Sequence, residues 1–255
     1  MIRPNPFLNI KISLGLAIFL TSVSVCTSFA QVLVGREAKT KWSLMSDSDN
    51  ITIYESDVTH DGYVPLKGSL TINAPIEKVA AFLDDSIGKK KWLPAVEEIE
   101  VIKKVNPYEK IEYYHVVMPF IVSDRTFIMH SKAYVNKAKD EIFVTVKTIF
   151  KDQRLKSNLV RGEVVDSYVY LKKDGEDKTI VEGVFYTHPK GLIPNWVVTR
   201  FTRNFCRESL LKLRSRIENN SLSKKELLKY RDLMNNFKKP VKSFSSLMFK
   251  SEKKL

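Results

Sequence analysis

Four histidines are the residues in this sequence best suited to acid–base chemistry or to binding a metal. They are scattered along the chain without the spacing of a known metal-binding motif, at His60, His115, His130 and His188. The sequence contains no nucleophile elbow, phosphate-binding glycine loop or zinc-protease motif. We therefore expect a protein that is not an enzyme, with no catalytic residue, no metal and no cofactor.

The cysteines and one pair of aspartates do not change this expectation. Cys26 and Cys206 are too few for a disulfide framework. Cys206 lies beside the apolar stripe of a predicted helix, where a thiol is more often a small buried hydrophobe than a nucleophile. Asp84 and Asp85 could act as paired acids, but they end a predicted helix just before three lysines. We expect both carboxylates to be solvated.

The N-terminal residues have the pattern of a secretory signal peptide. Arg3 and Lys11 precede an apolar run from Ile12 to Val25, and Ser28 and Ala30 provide small residues at a cleavage site. We expect residues 1–30 to be removed after Ala30 and the protein to be periplasmic or secreted. The apolar run is short for a membrane-spanning helix, although an uncleaved anchor is the alternative.

The positive charge of the chain is concentrated at its C-terminus. The net charge is +13, and residues 219–255 carry ten Lys and Arg against three Asp and Glu. Ser223 and Glu226 form a capping box that predicts a short helix through Phe237, ending before Pro240. This basic helix and tail are either simply solvated or weakly attracted to anionic lipid head groups. Nucleic acid is disfavoured, because the chain has no recognised binding motif and a predicted export signal.

Residues 31–218 are predicted to form one α+β domain. A short helical stretch ends near Trp42–Leu44, and two helices are expected, one opened by Pro75 and one from Pro194 to Glu218. Segments rich in β-branched and aromatic residues predict strands between them. These segments are Ile51–Tyr54, Val64–Ile72, Val96–Lys103, Lys110–Met118, Arg125–Val135, Glu141–Ile149, Glu163–Leu171 and Lys178–Thr187.

Three stretches together resemble the START family, the lipid-transfer domains related to steroidogenic acute regulatory protein. The first is Asp84–Ile99, in which the end of a helix precedes Lys91-Trp92-Leu93-Pro94, and the second is the proline-led segment Met118–Phe127. The third runs from Val160-Arg161 through the sequence THPKGLIPNW, residues 187–196, into the last helix. The order and spacing of these motifs cover roughly residues 35–218.

This resemblance implies a helix-grip fold, in which a curved antiparallel sheet wraps around the long C-terminal helix and encloses a hydrophobic tunnel. It also implies that Ile149–Asn158 is part of a mobile lid. Alternation along the strand places Arg125, Phe127 and Met129 on one face, which is the tunnel wall if that face is concave. The candidate ligand-binding residues are Trp92, His115, Arg125, Phe127, Met129, Phe185, Trp196, Phe201 and Phe205.

Two departures from the family pattern qualify the resemblance. Thr126 stands where the family usually has aspartate, so Arg125 is expected to pair with Asp124, another carboxylate or a polar lipid head. Steroid-binding members have an acid and an arginine in the tunnel, and the counterparts here are Tyr114 or His115, and Ser131. The expectation is an uncharged tunnel suited to acyl chains, without sterol specificity.

We therefore expect a monomeric protein that binds and transfers or sequesters one lipid, with transient membrane contact through its basic tail. One alternative is an aromatase/cyclase-like enzyme, which needs titratable groups in the cavity and for which His115, His130 and Arg125 are the candidates. The other is an interaction protein without a ligand, whose aromatic residues fill a dry core. Cavity volume and the nature of the cavity wall distinguish the three.

Overall fold

A computed structural model describes residues 41–57, 63–119, 122–149 and 159–237 of the chain. The predicted signal peptide, the predicted lid segment beyond Ile149 and the tail beyond Phe237 lie outside these residues. No helix in the described ranges is long and apolar enough to cross a membrane.

The described residues form twelve strands, three α-helices and two short 3₁₀ turns at Gly88–Lys91 and Lys137–Lys139. The helices are α1 (Ile76–Asp84), α2 (Asn195–Asn219) and α3 (Lys224–Asn235). The strands are β1 (Trp42–Ser48), β2 (Ile51–Ser56), β3 (Leu66–Ile72), β4 (Val96–Asn106), β5 (Glu109–Val116), β6 (Arg125–Asn136), β7 (Glu141–Thr148), β8 (Val160–Arg161), β9 (Glu163–Val164), β10 (Ser167–Lys173), β11 (Thr179–Phe185) and β12 (Thr187–His188).

Nine of these strands build one curved antiparallel sheet in the order β1-β2-β3-β11-β10-β7-β6-β5-β4. Neighbours in this order are joined by antiparallel ladders, such as Tyr113 opposite Ile128 between β5 and β6. The short β8 adds a parallel pairing to β6, and β12 pairs with β9 in a separate ribbon. The hairpin between β10 and β11 turns at Gly175, whose positive φ of 73° suits glycine.

The long helix α2 packs against the inner face of this sheet. Its buried residues include Cys206, Leu210, Leu213 and Ile217, which recur at helical spacing and belong to the main apolar core. A Cβ atom added at Gly68 of β3 would collide with Leu210 Cδ1. The missing side chain at Gly68 is therefore what allows helix and strand to approach closely. The predicted helix-grip fold is confirmed.

The prediction of a helical stretch ending at Trp42–Leu44 is wrong, because these residues begin strand β1. Strand β1 pairs with β2 through a tight turn in which Asp49 and Asn50 both have positive φ, 56° and 55°. Two such residues favour the type of turn that connects twisted antiparallel strands. The Asp-Asn pair was the sequence signal for this hairpin.

The two other helices begin at the predicted points. Pro75 precedes the first residue of α1, and the capping box is present at α3, where Glu226 N donates to Ser223 Oγ and Ser223 N donates to a Glu226 carboxylate oxygen. Helix α3 ends at Asn235, slightly before the predicted end at Phe237.

Candidate functional site

A cavity of about 320 Å³ lies between the inner face of the sheet and helix α2. Most of its wall is apolar, as expected for a site that binds a hydrophobic molecule. Seven of the nine predicted ligand-binding residues lie on this wall. They are Trp92, Arg125, Phe127, Met129, Phe185, Phe201 and Phe205.

The aromatic part of the wall is contributed by both layers of the fold. Phe201 and Phe205 of α2 stack with their ring centroids 6.0 Å apart, and Phe185 of β11 meets Phe205 edge-on at 6.5 Å. Along β6, the predicted alternation places Phe127 and Met129 on the cavity side. The sheet and the helix thus enclose the cavity with large apolar side chains.

His115 does not reach the cavity, because alternation along β5 turns it to the opposite face from Tyr114 and Val116, which line the wall. Its imidazole lies between two acids, with Nδ1 3.3 Å from a Glu97 oxygen and Nε2 2.9 Å from Asp124 Oδ2. Asp124 also accepts a hydrogen bond from the backbone N–H of Met118. His115 therefore contacts the segment between β5 and β6 and stabilises it on the face of the sheet that points away from the cavity.

Trp196 also lies outside the cavity wall. It occupies the first turn of α2, where its side chain is 66% exposed, and Leu192 four residues earlier is fully exposed. One side of the first turn of α2 faces solvent, and Trp196 lies on that side.

The cavity wall is not uncharged, and this is the main correction to the sequence-based expectation. Glu112 of β5 is completely buried just behind the wall, and Lys89 Nζ lies 2.9 Å from its Oε2. The hydroxyl of Tyr114 donates to the same carboxylate at 3.1 Å and accepts from Lys89 Nζ at 3.0 Å. Lys89 and Tyr114 themselves line the cavity.

A second cation connects this cluster to helix α1. Lys110 Nζ is 3.3 Å from a Glu112 oxygen and 3.1 Å from Asp84 Oδ1, and it donates to Ser86 Oγ at 2.9 Å. The prediction that Asp84 is solvated is therefore wrong. Its carboxylate is partly buried, and it also accepts a hydrogen bond from the hydroxyl of Tyr230 at 2.8 Å. We call Asp84, Lys89, Lys110, Glu112 and Tyr114 the polar cluster.

The polar cluster is ionised and internally balanced, with two cations facing two carboxylates. Burial of Glu112 favours its neutral form, but Lys89 and Lys110 outweigh burial and lower the pKa of Glu112 to about 2. Burial and the charge of Glu112 raise the pKa of Tyr114 well above its ordinary value. General acid–base catalysis requires a group that exchanges a proton readily near neutral pH, and neither Glu112 nor Tyr114 does so.

Acid should destabilise the fold through Glu112. The folded-state pKa of about 2 lies below the ordinary glutamate value of 4.5, so the ion pairs of Glu112 stabilise the fold above about pH 4.5, and this contribution is lost as the pH falls towards 2. The loss should approach 3 kcal/mol, at about 1.4 kcal/mol per pKa unit. Urea unfolding between pH 6 and pH 2 measures it, and Glu112→Gln should flatten much of the dependence. An unchanged pH dependence in Glu112→Gln would contradict this assignment.

Arg125 is also buried in the cavity wall, where backbone carbonyls accept the hydrogen bonds of its guanidinium. Its guanidinium donates to three backbone carbonyls, those of Ser123, Pro189 at 3.2 Å and Lys190 at 3.0 Å. Burial lowers the pKa of Arg125, and Asp124 partly offsets this effect. Arg125 therefore ties the start of β6 to the loop that leads into α2, a role for which the sequence carried no signal.

The other candidates for chemistry have structural surroundings. His130 faces away from the cavity, with Nε2 2.7 Å from a Glu109 oxygen. Burial raises the pKa of the Cys206 thiol to about 12, so it is protonated at neutral pH and inert, as predicted. His188 packs against the ring of Tyr63 at 4.3 Å. His60 lies outside the described residues.

The comparisons with known proteins place this arrangement in a family. The chain is 25% identical over 193 residues to an uncharacterized protein of Pseudomonas aeruginosa, covering 73% of this chain and 91% of that protein. It is 22% identical over 168 residues to the phosphatidylcholine transfer protein of Mus musculus, covering 64% and 77%.

A solved structure shares the fold over most of its length. The STAR-related lipid transfer protein from Xanthomonas axonopodis superposes with a TM-score of 0.63 at 24% identity, covering 70% of this chain and 99% of that one. The sequence model of the START domain matches residues 23–222, which include the curved sheet, helix α2 and most of the residues that line the cavity. The chain belongs to the START domain family.

Proposed function

We propose that this protein binds one lipid in the cavity between the sheet and α2, and that it carries or sequesters that lipid without changing it chemically. The cavity and its aromatic wall carry this proposal. Each CH₂ of an acyl chain that is buried away from water contributes about 0.8 kcal/mol, so an apolar cavity can replace the stabilisation that the lipid loses when it leaves the bilayer. Membership of the START family and the similarity to proteins named as lipid transfer proteins support it.

The character of the polar cluster supports binding over catalysis. Its ionised groups are held against one another, and neither His115 nor His130 reaches the cavity. An aromatase/cyclase-like activity would need a group that can exchange protons with a substrate in the cavity. A filled core without a ligand is disfavoured by the volume of about 320 Å³.

Native mass spectrometry of the protein purified from its own host tests this proposal. We expect an adduct that dissociates on denaturation and is recovered in an organic extract as a lipid. The extracted molecule should then be transferred between vesicles by the protein in a concentration-dependent manner. Absence of any extractable or exchangeable lipid would overturn the proposal.

We further propose that the protein is an exported monomer, cleaved after Ala30, and that its basic C-terminal segment attracts it to anionic membranes. The exposed lysines of α3, Lys224, Lys225 and Lys229, would contribute about 1 kcal/mol each near such a surface. N-terminal sequencing of the protein from its host should begin at Gln31. Binding to anionic vesicles should weaken strongly between low and high salt, while neutral vesicles should show little salt dependence.

The exposed apolar side chains at the start of α2 should insert into the membrane during lipid exchange. Leu192 is fully exposed, so burying it in a bilayer would contribute about 2 kcal/mol. Leu192→Ala should therefore weaken vesicle binding by up to about thirtyfold. Leu44→Ala is the matched control, because Leu44 is also well exposed but lies on the edge strand β1. Equal effects of the two substitutions would argue against a membrane-facing role for Leu192.

A further inference from the structure

Helix α3 forms part of the cavity wall, although it lies beyond residue 222, where the match to the START domain ends. Tyr230, Leu233 and Met234 of α3 line the cavity. They do so next to residues from α1 and from the turn between β4 and β5, among them Leu83 and Tyr108. One end of the cavity is thus closed by a helix that the family match does not include.

The polar attachments of α3 join it to α1, to the β4–β5 turn and to the 3₁₀ turn Lys137–Lys139, where Lys137 Nζ donates to the Asn235 carbonyl. Towards α1, Tyr230 donates to Asp84 and Arg231 Nε lies 3.0 Å from Glu77 Oε1. Towards the β4–β5 turn, the hydroxyl of Tyr108 donates to the Leu233 carbonyl at 2.8 Å. Beyond the end of the helix, the ring of Phe237 meets the ring of Tyr108 edge-on at 4.9 Å.

Helix α3 also buries far less than α2. It has no fully buried residue, whereas α2 has seven, including Leu210 and Ile217. Displacing α2 would open the main core, but displacing α3 would expose only partly buried side chains. Segments with few buried apolar contacts open at much lower free energy than the core.

The polar cluster can tolerate the removal of α3. Lys110 lies 3.1 Å from Asp84 Oδ1 and also bonds the Asp84 carbonyl and Ser86, so the Asp84 carboxylate keeps its cation when Tyr230 leaves. Opening at α3 therefore leaves the Asp84 carboxylate paired, and an unpaired buried charge is the costly event in such a network. Tyr230 would exchange its carboxylate partner for water.

We propose that α3 is a movable end wall of the cavity and that the lipid enters and leaves between α3, α1 and the β4–β5 turn. This proposal rests on the proposed function, because it concerns the path of the same ligand. Tyr230, Leu233 and Met234 are then ligand-contacting residues, and the contact between Tyr230 and Asp84 acts as the latch.

The test locks α3 to α1 and measures the release of a fluorescent fatty acid, anthroyloxy-stearate, into excess phosphatidylcholine vesicles. In a Cys26→Ser background of the full chain, Glu77→Cys and Arg231→Cys are joined by a short bismaleimide. Release should slow at least tenfold relative to the same protein capped with N-ethylmaleimide. The matched control joins Glu208→Cys to Lys212→Cys, an exposed ion pair within α2 at 3.2 Å. It should leave the release rate unchanged.

A second variant loosens the latch instead of locking it. Tyr230→Phe removes only the hydrogen bond to Asp84 and should speed release about tenfold, as expected for a lost hydrogen bond to a charged group. Tyr170→Phe is the control, since Tyr170 also donates to a carboxylate, that of Glu141, but does not line the cavity. Unchanged release in both the locked protein and Tyr230→Phe, with the probe still bound, would overturn the end-wall proposal alone. Failure of the unmodified protein to bind the probe would overturn this proposal and count against the proposed function.

Discussion

Replacing Glu112 by alanine should lower the free energy of unfolding by about 3–5 kcal/mol, the largest effect we expect from a single polar substitution in this chain. Glu112 is completely buried, and Lys89 and Lys110 lie 2.9 and 3.3 Å from its oxygens. Removing the carboxylate takes away the ion-pair partner of the buried Lys89 ammonium, which is then left with its hydrogen bond to the neutral hydroxyl of Tyr114. Urea unfolding followed by circular dichroism measures the change.

Two comparisons make this prediction specific. Glu208→Ala removes an exposed ion pair with Lys212 and should change stability by less than about 1 kcal/mol. Replacing both members of the buried pair, Glu112→Leu with Lys89→Met, should recover much of the lost stability, because no unpaired charge remains. A loss in Glu112→Ala no larger than that in Glu208→Ala would show that the buried network does not stabilise the fold.

The polar cluster also shows where the sequence ceased to be informative. Along β5 the residues Lys110, Glu112 and Tyr114 face inward, while Ile111 and Tyr113 occupy the alternate positions. Alternation identifies two faces but does not say which one is inside, and apolar residues at the outer positions favoured the opposite assignment. The ion pairs depend on Lys89 and Asp84, which are distant in sequence, so only the three-dimensional structure brings these charges together.

The parts that were predictable depend on local patterns. Apolar spacing of three to five residues identified α2, and the capping box identified the start of α3, because both signals lie within one helix. Alternation along β6 predicted which of its residues share a face with Phe127, so assigning Phe127 to the cavity assigned the whole inward face. The prediction that His115 and Trp196 line the cavity was wrong, because no local signal showed which face of their strand or helix points inward. The contribution of α3 to the cavity could not be predicted, since it depends on how α3 packs against α1.

Filling the cavity should abolish ligand binding while the fold persists. Val146 of β7 lines the cavity and pairs in register with Ser131 of β6, which lines it as well. Val146→Trp would place an indole ring where the proposed lipid lies, and we expect the affinity for anthroyloxy-stearate to fall at least tenfold. Overpacking should cost about 1–3 kcal/mol of stability, which a cooperative unfolding transition would reveal.

The neighbouring position provides the control, because the same substitution on the other face of the strand leaves the cavity unchanged. Thr145 points away from the cavity and is only partly buried. Thr145→Trp should therefore bind the probe as the unmodified protein does, despite an equal increase in side-chain volume. If Val146→Trp and Thr145→Trp bind equally well, the ligand lies elsewhere and the cavity is not the binding site. If only Val146→Trp loses binding, the ligand occupies the space between the sheet and α2.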